Sequence, residues 1–215
     1  MKAAVPDATR TLSATLKAET APVHEAMHVL MGALDPFADR SRYARFVWAQ
    51  HAFQREVRRR CHGSRLHAMV PDLDVRGREA AAEADIADLR DVLPPQWLEN
   101  AARATVPSAD SDDDLSALGW LYVSEGSTLG AAFLLKEAQA RLGVSEIFGA
   151  RNLAAAPQGR ARAWRAFVDA IDAADLTPPE RQRAVAGAHA AFAWFATTLR
   201  RAFADLALPI PAHAA

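Results

Sequence analysis

One segment constrains the fold of this chain more than any other. From Leu115 to Leu142 a helical pattern runs without a proline, and Gly143 follows it as a stop signal. The polar stretch Ser108–Asp114 leads into it with acidic residues, the charge that a helix N-terminus favours. The rest of the chain repeats this grammar at smaller scale. Leu16, Thr20, Val23, Met27, Leu30 and Leu34 recur at steps of three and four, which predicts a first helix from about Thr11 to Leu34, ended by Asp35-Pro36. Tyr43, Phe46, Val47, Gln50, Phe53 and Val57 share one face of a second, from Ser41 to about Arg60. Further helices are expected over Arg78–Leu93, Gly159–Ala173 and Thr177–Leu206, with a short one over Trp97–Thr105. The last opens on Thr177-Pro178-Pro179-Glu180, a capping box combined with proline at the first helical position. Residues Cys61–Gly77, broken by Gly63, Pro71 and Gly77, read as irregular.

Composition supports the same class. Alanine, the best helix former, fills 50 of the 215 positions, whereas Val and Ile together fill 17, too few for a sandwich or barrel. The remaining large apolar residues suffice for one sizeable core, which disfavours disorder. The expectation is an all-α single domain over residues 1–215, with an ordered core of about 12–206.

The charges exclude other classes. Lys plus Arg (25) balance Asp plus Glu (26), so no global field attracts nucleic acid or an anionic membrane. The basic run Arg55–Arg60 reads as a solvated helix end. The single cysteine, Cys61, excludes an intrachain disulfide and suits a reducing compartment. No apolar run approaches the ~20 residues that span a bilayer, and Met1–Asp7 lacks the apolar stretch of a signal peptide. A cytoplasmic protein with no membrane or nucleic-acid partner is expected.

Two features break the helix rules. Gly119, Gly126 and Gly130 sit inside the long helix, each costing about 1 kcal/mol against the alanine used almost everywhere else. They share a stripe, which implies tight helix–helix packing, a bend, or a flat ligand laid against the backbone. On the first helix, His24 and His28 are four residues apart, with Lys17 two turns before His24. A histidine on such a face is either a boundary residue or a ligand to a metal or haem iron. No partners at zinc-site spacing accompany the pair, and Cys61, His62 and His67 form no recognised metal motif. Together, an imidazole on one helix and a bared backbone on another suit a planar macrocycle held between them.

At this point the residues resemble those of the haem oxygenases, especially the bacterial biliverdin-forming group. Leu16-Lys17-Ala18-Glu19-Thr20-Ala21-Pro22-Val23-His24 is similar to the family's proximal-helix motif. Tyr122-Val123-Ser124-Glu125-Gly126-Ser127-Thr128-Leu129-Gly130 resembles the distal-helix motif of the bacterial enzymes. Further likeness at Thr177–Arg183 and Ala191-Phe192 extends it over about residues 12 to 205. The resemblance implies a helical bundle holding haem between a proximal N-terminal helix and a glycine-containing distal helix. It makes His24 the axial iron ligand, Gly126 and Gly130 the distal glycines, and Lys17 a propionate partner. Lys136 and Arg165 become further propionate or donor-docking candidates. Ser127 stands where mammalian members carry an aspartate, which implies an ordered water network held by Ser127 and backbone carbonyls. Ala131 replaces the second glycine of the family's pair. His28 stands where many members place a carboxylate, either holding the His24 ring or competing for the iron. The implied activity uses haem b as both cofactor and substrate, with O2 and electrons from a donor protein or small reductant, and yields biliverdin, CO and ferrous iron. The alternative is a non-degrading haem carrier or sensor on the same fold, favoured by His28 and Ala131.

Overall fold

The computed structural model describes residues 10–208 apart from 71, 95, 96 and 98–112. Among these residues the long elements are all helices: α1 (Leu12–Leu34), α2 (Arg40–Arg60), α3 (Ser64–Met69), α4 (Glu79–Asp88), α5 (Asp114–Leu142), α6 (Arg160–Asp172) and α7 (Pro178–Ala202).

Side-chain caps fix most of the starts. Asp39 accepts a hydrogen bond from Arg42 N at 2.8 Å, so α2 begins just before the expected Ser41. Asp113 accepts from Leu115 N at 2.8 Å and Ser116 N at 3.1 Å to open α5. At the start of α7 the Glu180 carboxylate takes the Thr177 amide (2.8 Å) and hydroxyl (2.7 Å) as its donors, completing the capping box. The stops are equally local. Asp35 turns left-handed at φ 40° while its N–H still bonds Met31 O, and Gly143 ends α5 at φ 67°.

Three expectations are corrected. The stretch Cys61–Gly77 is not wholly irregular, because it contains α3 and a 3-10 turn at Leu73–Val75. The cap of α3 comes from far along the chain: an Asp114 carboxylate oxygen accepts from Arg65 N (3.0 Å) and Leu66 N (3.3 Å). Gly63 makes room for it, since a Cβ there would lie 1.5 Å from Asp114 Oδ1. The helix expected over Arg78–Leu93 stops at Asp88 and continues as a 3-10 turn over Arg90–Val92. The last helix ends at Ala202, short of Leu206, where the chain loosens into turns. The expected helix over Trp97–Thr105 lies, beyond Trp97 itself, outside the described residues.

Helix α7 is the element on which α1 and α5 both rest. All three run in the same direction. Near their N-termini Arg181 donates to Arg10 O at 2.6 Å, and further along Phe192 of α7 lies beside His24 of α1. Between α5 and α7 the approach is backbone to backbone. A Cβ on Gly119 would stand 2.0 Å from Ala184 O, and one on Gly187 would stand 2.2 Å from Ser116 O. Helix α2 runs antiparallel to α5, with Arg60 over the Trp120 ring and Gln54 bonded to Ser124 further along.

The core follows from this arrangement. One cluster gathers Leu12, Leu16, Phe53, Trp120, Phe167, Ile171 and Trp194, with Phe53 stacked on Trp120 at 5.7 Å. The other gathers Leu30, Leu34, Tyr43, Phe46, Leu135, Leu199 and Phe203, and the Tyr43 hydroxyl satisfies itself on Gly149 O at 2.9 Å. Each such side chain contributes about 1.5–3 kcal/mol on burial. Ala44, Ala138, Ala184, Ala188, Ala191 and Ala202 are fully buried as well. The alanine content therefore serves close helix approach in addition to helix propensity.

Candidate functional site

The α1 side of the site is a pair of imidazoles. His24 and His28, one turn apart on an exposed strip, meet edge to face with ring centroids 4.5 Å apart, and Phe192 lies edge-on to His24 at 6.1 Å. Among the described residues, no hydrogen bond reaches either ring. Partial burial, then the neighbouring His28, hold the His24 imidazole below its ordinary pKa, with Glu25 opposing. At neutral pH the ring is uncharged and has a lone pair to give, the form that ligates a metal. One turn earlier Thr20 is buried and donates to Leu16 O at 2.7 Å. Lys17, two turns before His24, is exposed and forms no ion pair among the described residues.

On α5 the glycine stripe divides. Gly119 is consumed by packing, because its Cβ would strike backbone atoms of α7. Of the alternatives that the stripe left open, tight helix–helix packing therefore accounts for Gly119. Gly126 is half-buried, and a Cβ there would make ordinary contact with the Trp164 ring at 3.6 Å. Gly130 is exposed, with nothing among the described residues within 4 Å of a Cβ position. Between them the Ser127 hydroxyl donates to Ser124 O (2.7 Å) and the Thr128 hydroxyl to Glu125 O (2.6 Å). The Ser127 proton is thus held by the helix, leaving its oxygen to accept from a solvent molecule. Beside this bare backbone, Leu129 and Phe133 are 39% and 78% exposed.

Soft apolar groups border both helices. Met27 and Met31 of α1, Leu134 of α5 and Phe195 of α7 are half-buried against the same core cluster. Although α1 and α5 share this cluster and α7, they scarcely meet along their own lengths. A neutral imidazole, a glycine backbone open to contact, exposed aromatic and aliphatic faces and adaptable methionines match the chemistry of a flat apolar macrocycle. Lys136 and Arg165, like Lys17, are exposed without an ion pair among the described residues. Cys61 has no such role. Burial pushes its thiol up to about 12, His67 is engaged by Gly63 O and Asp74, and no metal-ligating cluster occurs among the described residues.

Sequence reasoning missed how the glycine segment is held from behind. The buried Glu125 carboxylate is bonded to Arg76 Nη1 at 2.7 Å, and Arg76 also grips both Asp72 oxygens at 2.7 Å. Burial raises the Glu125 pKa while Arg76 opposes the rise. Gln54 meets Ser124 at 3.2 Å, and Arg160 donates to the Thr128 carbonyl at 2.9 Å. Arg76 stands in the stretch read as irregular, where no periodicity points to a partner. Only Glu125, a charge inside an otherwise apolar helical face, gave a signal.

The chain as a whole is similar to known proteins. The heme oxygenase family model matches residues 10–201. Over 181 residues the chain is 41% identical to heme oxygenase PigA of Pseudomonas aeruginosa, covering 84% of this chain and 87% of that protein. The fold superposes on the heme oxygenase of Neisseria meningitidis, known in NO- and CO-bound crystal structures, with a TM-score of 0.79 and 33% identity over 94% of this chain and 98% of that one. It also shares its fold with the Leptospira interrogans enzyme, with a TM-score of 0.67 at 15% identity over 89% of this chain and 100% of that one. No helix among the described residues is long and apolar enough to cross a membrane. The extent of the family match and the identity to a named member lead to one conclusion: this chain belongs to the haem oxygenase family.

Proposed function

We propose that the chain binds haem b between α1 and α5 and cleaves it to biliverdin, CO and ferrous iron, with O2 and electrons from a donor protein or small reductant. The observation that carries the site assignment is the split of the glycine stripe. Gly119 has a steric reason inside the protein, whereas Gly130 has none among the described residues, and Gly126 would tolerate a methyl at ordinary contact distance. Each still costs the helix about 1 kcal/mol relative to alanine. A cost without an internal return points to something laid against the backbone.

His24 would hold the haem iron, through the lone pair that its lowered pKa keeps available. Bound haem supplies the iron at which O2 is activated. Gly126 and Gly130 keep side chains off the opposite face and leave backbone carbonyls near it. Ser127 offers an acceptor oxygen for an ordered water. Lys17 neutralises a propionate at the pocket edge, with Lys136 and Arg165 as further candidates. The reaction proceeds in one cytoplasmic domain without nucleic-acid or membrane partners.

Two substitutions test the assignment. His24→Ala should abolish the Soret and charge-transfer features of an imidazole-ligated ferric complex, and an unchanged spectrum would refute the ligand. Gly130→Leu should suppress biliverdin formation far more than folding, and an unchanged yield would refute the distal segment. A carrier or sensor would instead keep its haem intact under reductant and O2, so the appearance of biliverdin and CO excludes it.

A further inference from the structure

The glycine segment of α5 is intrinsically weak helix. Ser124, Gly126, Ser127, Thr128 and Gly130 fall within seven positions, all poor helix formers, and two of their hydroxyls are turned back onto carbonyls of the preceding turn. Such a stretch holds its place only if other elements fix it. Three do. Gln54 reaches it from α2, Arg160 from the start of α6, and Arg76 from the turn that follows α3.

The Arg76 tie differs from the other two. Both side chains are withdrawn from water, with 5% of Arg76 and 8% of Glu125 exposed. The guanidinium is itself held on its other edge by both oxygens of Asp72 and lies 5.3 Å over the Phe167 ring of α6. It is a rigid planar fork joining one turn, α5 and α6, and it ends on the residue next to Gly126. No other charged contact reaches the segment so close to its first glycine among the described residues.

We propose that Arg76 and Glu125 are positioning residues for haem cleavage: their ion pair sets the height and angle of the Gly126–Gly130 backbone over the haem, and through it the meso carbon that is cut. The inference rests on the distal assignment above. Neither side chain is assigned a contact to the haem itself. Arg76 acts through Glu125, and Glu125 acts through the backbone it anchors.

The test compares Arg76→Met and Glu125→Gln with the parent, each reconstituted with haemin. Glu125→Gln keeps shape and an acceptor for Arg76, so it serves where Arg76→Met folds poorly. The haem Kd should stay within about twofold, because α1 is untouched. The azide Kd of the ferric complex, a probe of the distal side, should shift about three- to thirtyfold, the range for substitutions that act through a packed network. The biliverdin isomer composition should broaden in the same variants. Arg45→Met is the control for general destabilisation. It breaks the buried tie of α2 to Ala202 O and Asp205, and should lower Tm while leaving azide affinity and isomer composition unchanged.

Azide affinity and isomer composition unchanged in both variants would overturn the proposal, as would loss of haem binding in both, which would make the pair part of the fold's framework. The two levels separate cleanly. If Gly130→Leu has no effect, the distal assignment fails. If Gly130→Leu acts and the Arg76 and Glu125 variants do not, only the positioning role fails.

Discussion

The same substitution at two glycines of α5 should move stability in opposite directions. In Gly119→Ala the new methyl would sit 2.0 Å from Ala184 O and 2.4 Å from Ala188 N, both backbone atoms of α7. Real Cβ atoms stay beyond 3.0 Å, so the two helices must part by roughly 1 Å at their closest point. Overpacking of this kind costs about 1–3 kcal/mol, and the rigid partner puts it at the upper end. The gain in helix propensity returns about 1 kcal/mol, leaving a net loss of about 2 kcal/mol. In Gly130→Ala the methyl meets nothing within 4 Å among the described residues, so the propensity gain of about 1 kcal/mol stands alone.

Thermal melts of the haem-free protein followed by circular dichroism read the contrast. At about 2–4 °C per kcal/mol for a chain of this size, Gly119→Ala should melt about 4–8 °C lower and Gly130→Ala about 2–4 °C higher. The more stable variant should nevertheless be the poorer enzyme, because its methyl occupies the face offered to the haem. A neutral or stabilising Gly119→Ala would refute the backbone-to-backbone seam between α5 and α7. A destabilising Gly130→Ala would show that this glycine has a structural use, and would remove the reason for assigning it to the ligand.

Four further outcomes are expected. With its pKa below the ordinary ~6.5, His24 stays neutral as pH falls to that value, so haem affinity should be flat from pH 8 to about 6.5 and decline only below it. His28→Ala removes one cause of the depression and should move that decline to higher pH in a Soret titration; an unmoved midpoint would leave burial as the sole cause. The Glu180 carboxyl is lowered to about 2 by the Thr177 hydroxyl and amide and by Arg65. Its contribution is present above the unfolded value of ~4.3 and disappears as pH falls toward 2, so Glu180→Gln should flatten the acid limb of a stability–pH curve. Gly63→Ala should displace the Asp114 carboxylate from the start of α3 and cost about 1–2 kcal/mol in urea unfolding, whereas an unchanged midpoint would mean that the cap contributes little.

Local chemistry explains which parts of the fold were legible. Caps announce themselves in adjacent residues, so the Thr177–Glu180 start and the stops at Asp35 and Gly143 were readable in sequence. Helix α3 was not, because its cap is Asp114, a residue that reads as the opening of another helix. The fraying of α4 beyond Asp88 and of α7 beyond Ala202 was likewise hidden, since Leu89, Leu93, Phe203 and Leu206 continue an apolar period that packing uses in turns. The paired side chains behind the glycine segment join residues far apart in the chain, and no spacing rule connects Arg76 to Glu125.

The glycines mark the limit more sharply. A glycine inside an alanine-rich helix reports that something comes close to the backbone, yet it cannot say whether a neighbouring helix or a ligand does so. What separates the two cases is reciprocity. When two helices cross at backbone distance, both tend to need a small residue at the crossing, and α7 carries Gly187 within Ala184-Val185-Ala186-Gly187-Ala188, against Ser116 and opposite Gly119. That matching glycine was present in the sequence and accounts for Gly119 alone. At Gly130 no element among the described residues supplies a counterpart, and at Gly126 the nearest described group is an aromatic ring at ordinary contact distance. A glycine with a partner glycine belongs to packing; one without a partner inside the chain is a reason to look for a ligand outside it.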